Sequence, residues 1–419
     1  MFERYRRELG DTFTLRFGPY KMVVINRPED IRHVLVKNHA NYHKSPTYEL
    51  LRPVLGNGLI TSEGQFWRRQ RKLAQPAFHH KSLIGFADTM TRLSLELADE
   101  WADAPRGIDA HAAMMNLTLR IVGHTLMSTE FGGEASAIGK ALTTVLGYVG
   151  KSEAQLILPK WFPLPGKYKA ERATKELNSV VLRLIEERRE SVEDHYDLLS
   201  MFMAATDDDD GAQMTDEQLR DELMTMILAG HETTANALSW TWYLLSRHPE
   251  VARKLRDELD EVLQGRAPTL ADLAKLEYTE CVIKESMRLF PPVWIVERQA
   301  LADDNLGGYQ IKKGTIVAIS PWLLHHDETT YPNPDAFDPE RFRPSAAADR
   351  DRYAYLPFSI GPRTCIGNAF AMMESKIILA VLAQRFDVAM RPGQTVTPEA
   401  GVTLRPKPAI WVDAVARAQ

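Results

Sequence analysis

The residues best suited to chemistry stand near the C-terminus, in Phe358-Ser359-Ile360-Gly361-Pro362-Arg363-Thr364-Cys365-Ile366-Gly367. Two glycines and a proline allow a tight, rigid turn, and the cysteine is expected where a helix begins. Helix N-termini carry partial positive charge, which favours thiolate over thiol. A soft anionic sulfur in a fixed loop suits iron, and Arg363 is available to pair with a nearby anion. The bland alternative is a buried structural cysteine beside a turn. A second candidate is Ala229-Gly230-His231-Glu232-Thr233-Thr234, inside a long helical stretch. Glycine there costs about 1 kcal/mol relative to alanine. Small residues would let the helix pass over a flat cofactor, and close helix–helix packing is the competing explanation.

These residues need elements to hold them. Two short strands, 12–17 and 22–25, open the chain, after which the pattern turns helical. Thr215 with Gln218 three residues on reads as a capping box, and helical character then runs to about Arg247, before His248-Pro249. Another helix follows Pro249, and a third spans about 278–290, stopped by Pro291-Pro292. Residues 302–345 are loop-rich with short β-like runs, a last helix starts near Cys365, and 397–412 reads as strands. Pro159, Pro163 and Pro165 break the helices around them, and Asp207-Asp208-Asp209-Asp210 reads as a solvated loop.

Composition narrows the function classes. The 419 residues are 44% hydrophobic and 26% charged, as in an ordinary globular protein. Acidic residues (56) outnumber basic ones (51), so nucleic acid is not an expected partner. The two cysteines, Cys281 and Cys365, argue against a disulfide framework and fit a reducing, cytoplasmic compartment. The sequence has no apolar run long enough for a membrane span.

The cysteine loop resembles the haem loop of the cytochrome P450 family, phenylalanine-x-x-glycine-x-arginine-x-cysteine-x-glycine, at every fixed position. Ala229–Thr234, Glu285-Ser286-Met287-Arg288, Phe337-Asp338-Pro339-Glu340-Arg341-Phe342 and, more weakly, Trp67 with Arg71 follow in the family's order. The resemblance runs over about residues 12–412. It implies a mainly α fold, one large helical domain over 1–419 with a small β-rich region (about 12–30, 293–320 and 397–412). Haem would lie between the 215–247 helix and the Cys365 helix.

The resemblance makes Cys365 the metal ligand. It implies that Phe358 packs near the ligand loop, that Gly361 and Gly367 permit close approach to haem, and that Ala229 and Gly230 pass over it. Glu232 and Thr233 become the catalytic proton-delivery pair, with Glu232 in contact with water, and Trp67, Arg71, Arg298 and Arg363 the propionate partners. Glu285, Arg288 and Arg341 become a structural cluster. His231 is expected to point away from haem, His325-His326-Asp327-Glu328 to be structural, and Cys281 to be a core residue. The implied cofactor is heme b (iron protoporphyrin IX), with O2 and NAD(P)H-derived electrons from a separate ferredoxin or flavoprotein reductase.

The implied activity is monooxygenation of an apolar small molecule such as a fatty acid, terpenoid or steroid, by a monomer. A haem-thiolate isomerase, dehydratase or peroxygenase, and a non-catalytic haem sensor, are the alternatives. Arg68, Arg69 and Lys72 are expected to dock an acidic donor. One departure from the family is expected: the chain begins almost at the opening strands, without the usual lead-in and first helix.

Overall fold

The computed structural model describes residues 2–417 apart from 130–131, 151–154, 156–157, 159–161, 163, 192, 194 and 208–210. Its centre is the capped helix read from Thr215. The Thr215 hydroxyl accepts from Gln218 N, the Gln218 side chain accepts from Thr215 N, and the helix runs Asp216–Leu245. A helix buried on every side is a central element, not an amphipathic surface one. Between Asp221 and Trp242 every residue is buried except Ala229, Gly230 and Thr233.

Among helices of seven or more residues, α1 is Phe2–Leu9, α2 Gly64–Ala74, α3 His80–Asp103 and α4 Ala110–Met127. Then come α5 Gly132–Val149, α6 Lys167–Glu190, α7 Leu198–Ala204 and the central α8. The series closes with α9 Pro249–Leu263, α10 Glu277–Leu289 and α11 Asn368–Arg385. Pro249 occupies the first turn of α9, where its missing N–H costs nothing. Helix α8 packs on α4, α6, α10 and α11, and α11 also lies along α3.

The strands are β1 Thr12–Phe17, β2 Tyr20–Ile25, β3 Tyr42–Lys44, β4 Ile108–Asp109, β5 Val296–Ala300 and β6 Asp304–Leu306. They continue with β7 Tyr309–Ile311, β8 Ile316–Ile319, β9 Phe386–Met390, β10 Thr397–Ala400, β11 Leu404–Lys407 and β12 Trp411–Ala416. The largest sheet has the order β1-β2-β8-β5-β3, and β10 and β11 form a separate hairpin. In the β3–β5 pair Lys44 stands opposite Arg298.

Several expectations change. Helix α1 precedes the first strand, held by Arg6, which donates to Leu323 O at 3.0 Å and to Asp327 at 2.6 Å. The β-rich regions are wider than expected, because β3, β4 and β9 lie outside the three stretches, while Pro28–Arg32 is helical. The last helix starts at Asn368, so Cys365 sits three residues before it. Asp207 is buried against Arg69 at 2.7 Å and is no solvated loop residue; Asp208–Asp210, Pro159 and Pro163 fall outside the described residues.

Candidate active site

The cysteine loop is built by its own backbone. Cys365 N donates to Phe358 O at 2.9 Å and Thr364 N to Gly361 O at 3.0 Å, closing a narrow turn. Gly361 has φ +80°, and a Cβ there would stand 2.2 Å from Leu35 O, so glycine is required by both conformation and packing. Its bareness serves the contact with Leu35. At Gly367, by contrast, an added Cβ would meet Phe78 no closer than 4.0 Å.

Cys365 keeps an accessible side chain although it lies deep in the fold, so it lines an interior space. Burial pushes its thiol up, opposed by the Gly367 N–H and the Arg71 charge. The helix-start effect expected from sequence is therefore weaker than the desolvation. Binding a metal would deprotonate the thiol outright. Cys281 is buried in the core, its thiol pushed up to about 11 by burial, as its reading as a packing residue requires.

The sequence-selected basic residues divide. Arg71 donates to Thr364 O at 2.9 Å and to Gln75 at 2.9 Å, bracing the cysteine loop from α2. Arg363 stacks over Trp67, 3.8 Å from its ring centre, and pairs with Glu63. Its Nη1 is buried without a hydrogen-bond partner among the described residues. Arg298 is buried and donates to Glu297 O at 2.9 Å.

Sequence reasoning missed Lys44. This lysine lies deep beside Arg298 and Arg363, over the Tyr48 ring at 4.2 Å, and burial with those two charges holds its ammonium well below the usual range. The same crowding, after burial, brings Arg363 down to about 10. Like charges directly opposite across strands are destabilising, and the Glu63 carboxylate partly offsets the charge of both Lys44 and Arg363. Three cations with an orphaned guanidinium N–H fit a ligand carrying carboxylates. A haem with two propionates would meet that requirement, and accessible Cys365 would supply a soft donor for its iron.

The α8 candidates separate by direction. Ala229, Gly230 and Thr233 form one accessible face, and a methyl at Gly230 would meet Val122 at 3.4 Å. Thr233 Oγ1 donates to Ala229 O at 2.6 Å. His231 turns away, buried with Nδ1 at 2.9 Å from Ile227 O and its pKa pushed down to about 4 by burial. Glu232 is buried too and accepts from Thr403 Oγ1 at 2.6 Å, while its Oε2 has no partner among the described residues. The solvent contact expected for this carboxyl is thus replaced by a side-chain clamp. Burial pushes its pKa up.

The remaining motifs are structural. Arg288 donates to both oxygens of Glu285 (2.7 and 2.8 Å), to His325 O at 2.8 Å and to Ala336 O at 3.0 Å. Asp338 N adds a bond to Glu285 at 3.0 Å, and Arg341 lies 3.5 Å away. His325 accepts from Leu356 N at 2.9 Å, and Asp327 is spent on Arg6. Arg69 and Lys72 both face buried Asp207, at 2.7 and 3.9 Å, so part of the basic patch serves the fold; Arg68 is exposed.

A family model described as cytochrome P450 matches residues 1–412. Cyclooctatin synthase of Streptomyces melanosporofaciens is 39% identical over 95% of this chain and 87% of its own length. Cyclooctat-9-en-7-ol 5-monooxygenase of the same organism is 36% identical, over 92% and 84% respectively. The crystal structure of the cytochrome P450DA heme domain matches with a TM-score of 0.91 at 26% identity, covering all of this chain and 92% of that one. No helix among the described residues is long and apolar enough to cross a membrane.

Proposed function

The chain belongs to the cytochrome P450 family and is a haem-dependent monooxygenase; from that premise we propose that it hydroxylates or epoxidises an apolar terpenoid, with electrons originating in NAD(P)H and relayed by a separate ferredoxin or flavoprotein. The observation that carries this reading is the accessible face Ala229, Gly230 and Thr233 on a helix otherwise buried over that stretch, together with an accessible Cys365 deep in the fold. A terpenoid is favoured because two relatives are named for cyclooctatin chemistry. Val293, Trp294, Gly401 and Val402 are partly accessible and mostly apolar, which suits such a molecule.

Heme b, held through the Cys365 thiolate, would supply the activation of O2. Lys44, Arg298 and Arg363 would hold its propionates, with Trp67 keeping the Arg363 plane in place. The Thr233 hydroxyl gives its proton to Ala229 O, which leaves its lone pairs to accept from a water on the accessible face. Glu232 holds the proton to be delivered, at Oε2, since Oε1 is engaged by Thr403.

The test supplies haem-loaded protein with a surrogate ferredoxin, its reductase, NADPH, oxygen-18-labelled O2 and geranylgeraniol as a terpenoid probe, followed by cyclic diterpene alcohols. One labelled oxygen in the product is expected. Thr233→Ala should keep consuming NADPH while product falls about tenfold and hydrogen peroxide rises. Product lacking the label, or formed without a reductant, would instead favour an isomerase or peroxygenase.

A further inference from the structure

The clamp on Glu232 comes from far away in the chain and is built in detail. Thr403 is 7% exposed and stands between the Gly401-Val402 turn and β11. Its single hydroxyl proton goes to Glu232 Oε1 at 2.6 Å, and its oxygen accepts from Asn236 Nδ2 at 3.1 Å. Asn236 is one helical turn beyond Glu232, so α8 presents an acid and an amide with the Thr403 hydroxyl between them. The amide donor fixes which way the Thr403 proton points, and a chain of such bonds strengthens each member. The chain ends at Glu232 Oε2, which no described residue engages.

The segment carrying Thr403 is itself held. Trp294 Nε1 donates to Gly401 O at 2.9 Å, Trp240 Nε1 to Leu404 O at 3.1 Å and Leu404 N to Pro292 O at 2.9 Å. Two charged or titratable groups approach from neighbouring elements. Arg405 on β11 is engaged by Glu399 at 2.7 Å, and His111 on α4 sits 3.1 Å from Ser239, its pKa pushed down by burial. Arg405 favours the ionised Glu232 from a distance, and the direct contact is the Thr403 hydroxyl.

We propose that Thr403 is a positioning residue for Glu232, clamping Oε1 so that Oε2 keeps one fixed orientation for proton transfer. This rests on the proton-handling role proposed for Glu232. A hydroxyl that donates to a carboxylate stabilises the charged form, so removing it should raise the pH at which Glu232 ionises.

The test is an infrared difference titration of the haem-loaded protein. It follows the carboxyl C=O band that Glu232→Gln abolishes, and so needs no substrate or turnover. Thr403→Val should move the midpoint up by about one pH unit, and Thr403→Ser should leave it in place. Thr403→Ala gives the same reading if the valine variant does not take up haem. An unshifted midpoint in the hydroxyl-free variant overturns the proposal. Turnover of Glu232→Gln is measured in parallel. Wild-type turnover there removes Glu232 from the proton path, whatever the titration gives. Slow turnover with an unshifted titration in Thr403→Val removes only the role of Thr403.

Discussion

Two clusters of buried charge are built on opposite terms. Around Glu285 the carboxylate is answered: Arg288 spreads over both its oxygens and two carbonyls, Asp338 N adds a third bond, and Arg341 Nε, buried with no hydrogen-bond partner among the described residues, stands 3.5 Å away. Around Arg298, three cations gather with Glu63, and Arg363 keeps an orphaned N–H. Buried ionic groups persist when their geometry is satisfied, and a group left unsatisfied costs free energy. The first cluster is finished by the chain itself and fixes the meander behind the cysteine loop. The second would be completed by an anionic ligand, as proposed for the haem propionates. Each cluster holds an orphaned guanidinium N–H, so the difference between scaffold and proposed binding site lies in charge balance, two cations around Glu285 against three around Glu63.

The comparison breaks most visibly at Glu285. Glu285→Ala strands Arg288, fully buried, without its carboxylate, and should cost about 3–5 kcal/mol. Thermal melts should show the loss with and without haem, and a variant as stable as wild type would mean that the cluster does not support the meander.

A buried acid outside both clusters sharpens the rule. Glu374 on α11 is fully buried, neither oxygen has a hydrogen-bond partner among the described residues, and burial raises its pKa to about 8. The nearby Thr234 hydroxyl is committed to Gly230 O at 3.1 Å. The fold thus binds a proton that the unfolded chain releases above its ordinary carboxyl range. Stability should fall as pH rises from about 4.5 to about 8, by a few kcal/mol, and level off above that. Glu374→Gln should flatten this window in melts taken across pH. A wild-type slope in the variant would show that Glu374 is not the group responsible.

Lys44→Met and Arg298→Met should have a smaller effect and one of opposite character. Haem dissociation should quicken about tenfold for each, while the haem-free protein melts no lower than wild type, because a like-charge contact is relieved. Haem transfer to apomyoglobin measures the first quantity and calorimetry the second. Unchanged haem release with a destabilised apoprotein would place these cations with the scaffold.

Local rules made much of this legible. The Thr215–Gln218 box, Pro249 at a helix start and the Phe358–Gly367 loop are short-range features, and each is found where the residues indicate. Lys44 escaped because a lysine in a three-residue strand carries no signal; its meaning comes from facing Arg298, on a strand far along the chain. The Thr403–Glu232 bond escaped for the same reason, its partners standing 171 positions apart. Asp207 was misread because an acidic run favours solvent on average, whereas Arg69 gave its first member a partner worth burying.

Cys365, accessible within the fold, is proposed as the ligand to haem iron. The direct measurement is the absorption spectrum of the reduced, carbon-monoxide-bound protein, alongside Cys365→His. The red-shifted Soret band of thiolate ligation is expected in the wild type, and its loss in the variant. A wild-type spectrum typical of histidine-ligated haem would contradict it.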